Sequence, residues 1–139
     1  MTGMVSQELY EVVTLFDCMQ DPATVAWLVS AGITLPREIP PGQYPAPADI
    51  QQVLDSIPFI LVDYKISQSV WQATVRDRKD VSWAILTVKN FSGDLQESHP
   101  FFFTAGWDEM ISLVTAYLTR VCGPLVLLHD SGAAPQVVM

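Results

Sequence analysis

Three stretches in the middle of the chain, FILVDYKI, SVWQATVR and VSWAILTV, constrain the fold more than any other feature. In the first, Ile60, Val62, Tyr64 and Ile66 fall on one side, and Asp63 and Lys65 on the other. In the second, Trp71, Ala73 and Val75 alternate with Gln72 and Thr74. Side chains alternate across a strand, so this period of two describes half-buried β-strands. The third run is apolar on both faces, which suits a central strand. A charged cluster, RDRKD from Arg76 to Asp80, separates the last two runs and reads as a hairpin loop. NFSGD supplies another turn, and HPFFFTAG a candidate fourth strand. Strands joined this closely pair antiparallel.

Around them the period changes to that of helices. Ser6 is placed to cap a helix whose stripe is Leu9, Val12, Val13 and Phe16. Asp21 and Pro22 open a second helix, with Val25, Leu28 and Val29 as its stripe and Gly32 at its end. A third carries Ile50, Val53, Leu54 and Ile57, and Pro58 stops it. The longest has Met110, Leu113, Val114, Tyr117, Leu118 and Val121 on one face. Asp108 and Glu109 at its start and Arg120 in its last turn complement the helix dipole. Leu125 to Leu128 then form a compact apolar strand, and PQVVM is an edge strand or a frayed tail.

Between the second and third helices lies LPREIPPGQYPAP, residues 35–47, with five prolines. Proline locks φ and removes a donor, so this segment is a stiff connector. No two of these prolines stand in P-x-x-P spacing, which removes the strongest form of a proline-ligand reading. The expected class is α+β: N-terminal helices, a three- to four-stranded antiparallel meander, a long helix, then a C-terminal strand. Helices are expected on one face of the sheet. Residues 1–139 make one globular domain with the connector 35–47 inside it.

The formal net charge is −8. A field of that sign repels phosphate backbones and anionic bilayers, so neither nucleic acid nor membrane is an expected partner. Cys18 and Cys122 are far apart and belong to no C-x-x-C pair, which suits reduced thiols and a cytoplasmic setting. The opening residues carry Glu8 and Glu11 with no basic cluster, unlike a signal peptide. The glycines form no phosphate-binding fingerprint, and His99, His129 and the cysteines show no metal-ligand spacing. No cofactor or metal is expected.

Near the C-terminus, His129, Asp130 and Ser131 stand side by side, the residue types of a hydrolytic triad. Neighbours in an extended segment point to opposite faces, so the reading here is a strand entering a D-S-G turn. Glu97 and His99 are close enough in sequence to meet across a bend. His99, His129, Asp130 and Ser131 are the polar groups to examine for a pocket. Arg76, Arg78 and Lys79 are the one concentration of basic charge, and Phe101, Phe102 and Phe103 are contact candidates unless buried on both sides. No residue is assigned a catalytic role, and an enzyme is not the expectation.

The function expected from this pattern is binding to another protein, with a basic partner favoured by charge. Immunity proteins, antitoxins and secretion chaperones share this size and charge, an analogy of class alone. Two alternatives stand beside it. One is a small enzyme or ligand-binding domain with a pocket near His99 and His129. The other is a homodimer built on the Phe101 to Phe103 strand.

Overall fold

A computed structural model describes residues 9–79 and 81–139. The described elements run β1 (Tyr10–Thr14), α1 (Leu15–Met19), α2 (Pro22–Ser30), α3 (Pro47–Asp55), β2 (Ile60–Ile66), β3 (Trp71–Asp77), β4 (Trp83–Val88), β5 (Phe101–Gly106), α4 (Asp108–Cys122), β6 (Leu125–His129) and β7 (Gln136–Val138). The strands form one seven-stranded sheet in the order β2-β3-β4-β5-β1-β6-β7, with every pairing antiparallel.

This corrects the expected three- to four-stranded meander. β2 to β5 are that meander, but β1 enters the sheet beside β5 and carries β6 and β7 with it. The stripe assigned to a first helix is instead a strand, YEVVT, followed by the short α1. Spacing of i, i+3, i+4 was satisfied by chance. Val12 and Val13 are β-branched and face opposite sides, each into its own core. The proposed cap Ser6 lies outside the described residues. Thr14 caps α1 instead, its hydroxyl accepting from the Asp17 N–H at 3.2 Å.

Helices cover both faces, not one. The larger core packs α3 and α4 on one face of the sheet, which we call inner. It includes Ile50, Leu54, Trp71, Leu86, Phe103, Ile111, Leu118 and Leu127. On the outer face, Leu15, Cys18, Leu28 and Val126 form a second core under α1 and α2, joined by Ile33, Leu35 and Ile39. The connector 35–47 carries the chain from the outer layer to α3 on the inner one. At Gly42 it passes so close to the end of α4 that a β-carbon would lie 2.9 Å from the Cys122 carbonyl oxygen. Among the described residues, outer-face cover therefore reaches only the β1-β6-β7 half.

The long helix and the second helix match their sequence signals. Asp21 caps α2 through the Ala23 N–H, with Pro22 in the first turn. Where β4 meets β5 the register shifts between Ile85 and Leu86. There Gly106, at φ +145°, lies against Ala84, and an added β-carbon would stand 2.6 Å from the Ala84 Cα. Gly132→Ala, whose added carbon meets nothing within 4 Å, is expected to cost about 1 kcal/mol from its positive φ alone, and Gly106→Ala clearly more, because backbone strain and the clash with Ala84 add there. Leu28→Ala, removing the fully buried anchor of α2, should cost roughly 2–5 kcal/mol in denaturant titration.

Candidate functional site

At the end of β6 the chain leaves the sheet through the turn that carries His129, Asp130 and Ser131. These side chains do converge, contrary to the expectation from an extended segment. The reason is local: Gly132, at φ +78°, turns the backbone, and its N–H bonds the His129 carbonyl at 3.1 Å. The Ser131 Oγ lies 2.7 Å from His129 Nδ1, the Ser131 N–H donates to the same atom at 3.0 Å, and Asp130 Oδ1 stands 3.1 Å from it. A triad requires serine and carboxylate on opposite imidazole nitrogens. Here both crowd Nδ1, where the Ser131 N–H and the Asp130 carboxylate make opposite demands on one nitrogen, so the ring relays nothing from serine to carboxylate. The cluster is a turn clasp, extended by the Ala133 N–H onto Ser131 Oγ at 3.3 Å.

The other ring face meets Tyr10 edge-on, with centroids 4.8 Å apart. Tyr10 and His129 are register partners on the inner face. The Tyr10 hydroxyl donates to Asp108 Oδ1 at 2.9 Å, tying β1 to the first turn of α4. Burial, then the hydrogen bond and charge of Asp108, push this phenol up to about 12.

His99 belongs to a separate place. It is 8% exposed, on the segment between β4 and β5, and its N–H bonds the Pro45 carbonyl. Its ring packs edge-on to Phe91 at 6.4 Å, and Nε2 stands 3.7 Å from Glu97 Oε1, beyond hydrogen-bond reach. Glu97 is held instead by the Ser92 hydroxyl at 3.0 Å. None of the partners of His99 is a partner of His129. A shallow open cleft of about 350 Å³ lies elsewhere, lined by Phe16, Met19, Gln20, Arg37, Glu38 and Ile39, and none of the four polar candidates borders it. Among the described residues, no group of three or more His, Cys, Asp or Glu is placed to hold a metal ion.

The contact candidates divide. Phe101, Phe102 and Phe103 are all buried, because β5 has strands on both sides. Phe101 and Phe103 enter the inner core, and Phe102 lies on the outer face under Lys89, whose Nζ sits 5.8 Å from the ring centroid. They offer no surface to a second copy. The basic cluster is more structured than a solvated loop. Arg76 and Asp77 belong to β3, and Arg76 Nε faces Asp63 at 3.6 Å. Arg78 reaches the Pro58 carbonyl at 3.1 Å, Lys79 is exposed on the turn, and Asp80 lies outside the described residues.

Sequence reasoning missed what surrounds that cluster. Register places Leu61, Arg76 and Trp83 in one row across the outer face. The Trp107 N–H bonds the Trp83 carbonyl at 2.8 Å and continues the row onto the start of α4. Leu61, Trp83 and Trp107 are exposed, and Phe59 and Val81 flank them, with Val81 63% and Trp107 53% exposed. Asp63, Asp77, Asp108 and Glu109 lie beside these residues in the chain or across the ladder. Sequence reasoning had no marker for Trp83, which sits in a run apolar at nearly every position, and only its register with Arg76 places it on the face away from the main core.

No protein-family model, curated protein or solved structure matches this chain. No helix among the described residues is long and apolar enough to cross a membrane.

Cys18 and Cys122 are free and buried in different cores on opposite faces of the sheet. Burial raises both thiols, Cys18 to about 11 and Cys122 to about 12, with nearby carboxylates adding to the effect. These two and Tyr10 hold their protons in the folded state at pH values where the unfolded chain, with ordinary values of 9.0 and 10.0, loses them. The folded state then binds more protons, so stability falls as pH rises. These groups add no slope between about pH 7 and 8, and denaturation midpoints should decline between about pH 9 and 12. Cys122→Ala should flatten that decline, and a midpoint rising with pH in this window would contradict the assignment.

Proposed function

We propose that this is a small acidic protein that acts by binding another protein through the row Leu61, Arg76, Trp83 and Trp107. The observation that carries the reading is the clustering of exposed apolar side chains at one end of the open sheet face. Among the described residues, five of the ten large exposed hydrophobics, Phe59, Leu61, Val81, Trp83 and Trp107, are gathered there. A surface patch of two tryptophans and an arginine has the composition in which binding energy concentrates. The acidic residues beside it, within a chain of net charge −8, favour a partner with an apolar centre and basic or mixed charge around it.

The two buried, unpaired thiols suit a reducing compartment, and a cytoplasmic setting is part of the proposal. The class analogy with immunity proteins, antitoxins and secretion chaperones rests on size and charge and adds no residue-level support.

A photo-crosslinking amino acid in place of Trp83, expressed in the native host, should give one discrete adduct. Binding of the purified adduct partner should weaken roughly 30-fold on Trp83→Ala or Trp107→Ala, about 2 kcal/mol. Trp107 is the more exposed of the two, so Trp107→Ala should move the thermal midpoint little, while Trp83→Ala should lower it and is compared at a temperature where both variants are folded. No adduct at this position, or a partner held equally well by both variants, would overturn the proposal.

A further inference from the structure

β2 is the long free edge of the sheet, and its hydrogen-bonding phase can be read from its turn. The Ser67 N–H donates to the Val70 carbonyl at 2.8 Å, in step with the β2–β3 register. Hydrogen-bonded pairs recur every second residue in an antiparallel ladder, so Lys65, Asp63 and Leu61 also turn their backbone groups toward β3. The far side of β3 has the matching phase, since the Asp77 N–H donates to the Ser82 carbonyl in step with β4. The backbone N–H and C=O groups of Val62, Tyr64 and Ile66 therefore point away from the sheet. Among the described residues they have no backbone partner. The strand has no proline or bulge to close this edge, and Ile66 is 43% exposed.

We propose that a second copy of this chain adds to β2 antiparallel, with the two-fold axis at Tyr64, joining the two sheets into one. Backbone phase allows only registers in which the outward-pointing residues meet one another. Side-chain charge chooses among these. A register centred on Asp63 sets the two Asp63 carboxylates face to face, and one centred on Lys65 does the same to the two ammonium groups. Centring on Tyr64 places each Asp63 opposite the second copy's Lys65, twice by symmetry, on the outer face. It also sets Val62 against the second copy's Ile66 on the inner face, covering that exposed side chain. The contact is isologous and closes as a dimer. It uses the edge rather than the aromatic row, and it does not depend on the partner proposed above.

Sedimentation from roughly 1 µM to roughly 1 mM at low salt should show a monomer–dimer equilibrium. Ile66→Pro removes an outward N–H at the end of the strand and should abolish it without altering the far-UV spectrum. Asp63→Lys and Lys65→Asp each set like charges opposite across the axis and should weaken self-association roughly tenfold or more. Mixed in equal amounts, these two variants should recover a heterodimer, because every cross-pair is then opposite in charge. That recovery also shows that both variants are folded. A monomer throughout the range would overturn the proposal. So would a dimer indifferent to these substitutions, a mixture that stays monomeric, or open-ended polymers that signal pairing with another edge.

Discussion

The fold depends on β1 lying between β5 and β6. It pairs with β6 over its whole length, from Tyr10 with His129 to Thr14 with Leu125, and with β5 at Tyr10 and Glu11. Without it, the meander β2 to β5 and the C-terminal pair β6–β7 have no shared ladder. β5 and β6 both run antiparallel to β1, hence parallel to each other, and α4 makes the long connection such strands need. β1 also opens two cores at once. Val12 enters the layer under α3 and α4, and Val13 packs toward α1 and α2.

The unequal cover of the outer face follows from that arrangement. α1 and α2 leave β1 directly and settle over β6, where Leu28 and Val126 are fully buried together. The proline segment must then return the chain to the inner face, and it does so around the end of the sheet rather than across its open half. The outer faces of β2, β3 and β4 are left to polar residues, to Leu61, Trp83 and Ile85, and to the Asp63–Arg76 pair. The same arrangement leaves a half-sheet with exposed tryptophans at one end and the seven-residue strand β2 at its edge, with Leu61 common to both.

The polar clusters have structural uses. His129 and Ser131 shape the turn after β6, and Tyr10 joins Asp108 across the inner face. Their composition suggested chemistry, but both triad partners share one imidazole nitrogen. The residues of the exposed row were legible in part. Arg76 and Arg78 were visible as a basic cluster. Their tryptophan neighbour Trp83 was hidden because a run apolar at nearly every position carries no marker of which face is which.

What the sequence determined by itself was local. Asp21 with Pro22 started α2, the stripe from Met110 to Val121 shaped α4, and the period of two in Ile60–Ile66 and Trp71–Asp77 made strands, since these depend on neighbours a few residues away. Tertiary structure alone decided that YEVVT is a strand and that PQVVM holds an edge. Segments of five and three strand residues bury too little surface to choose a conformation without partners. It also decided that Phe101 to Phe103 are buried. Their exposure depended on whether a strand from the other end of the chain would lie beside them, and β1 does.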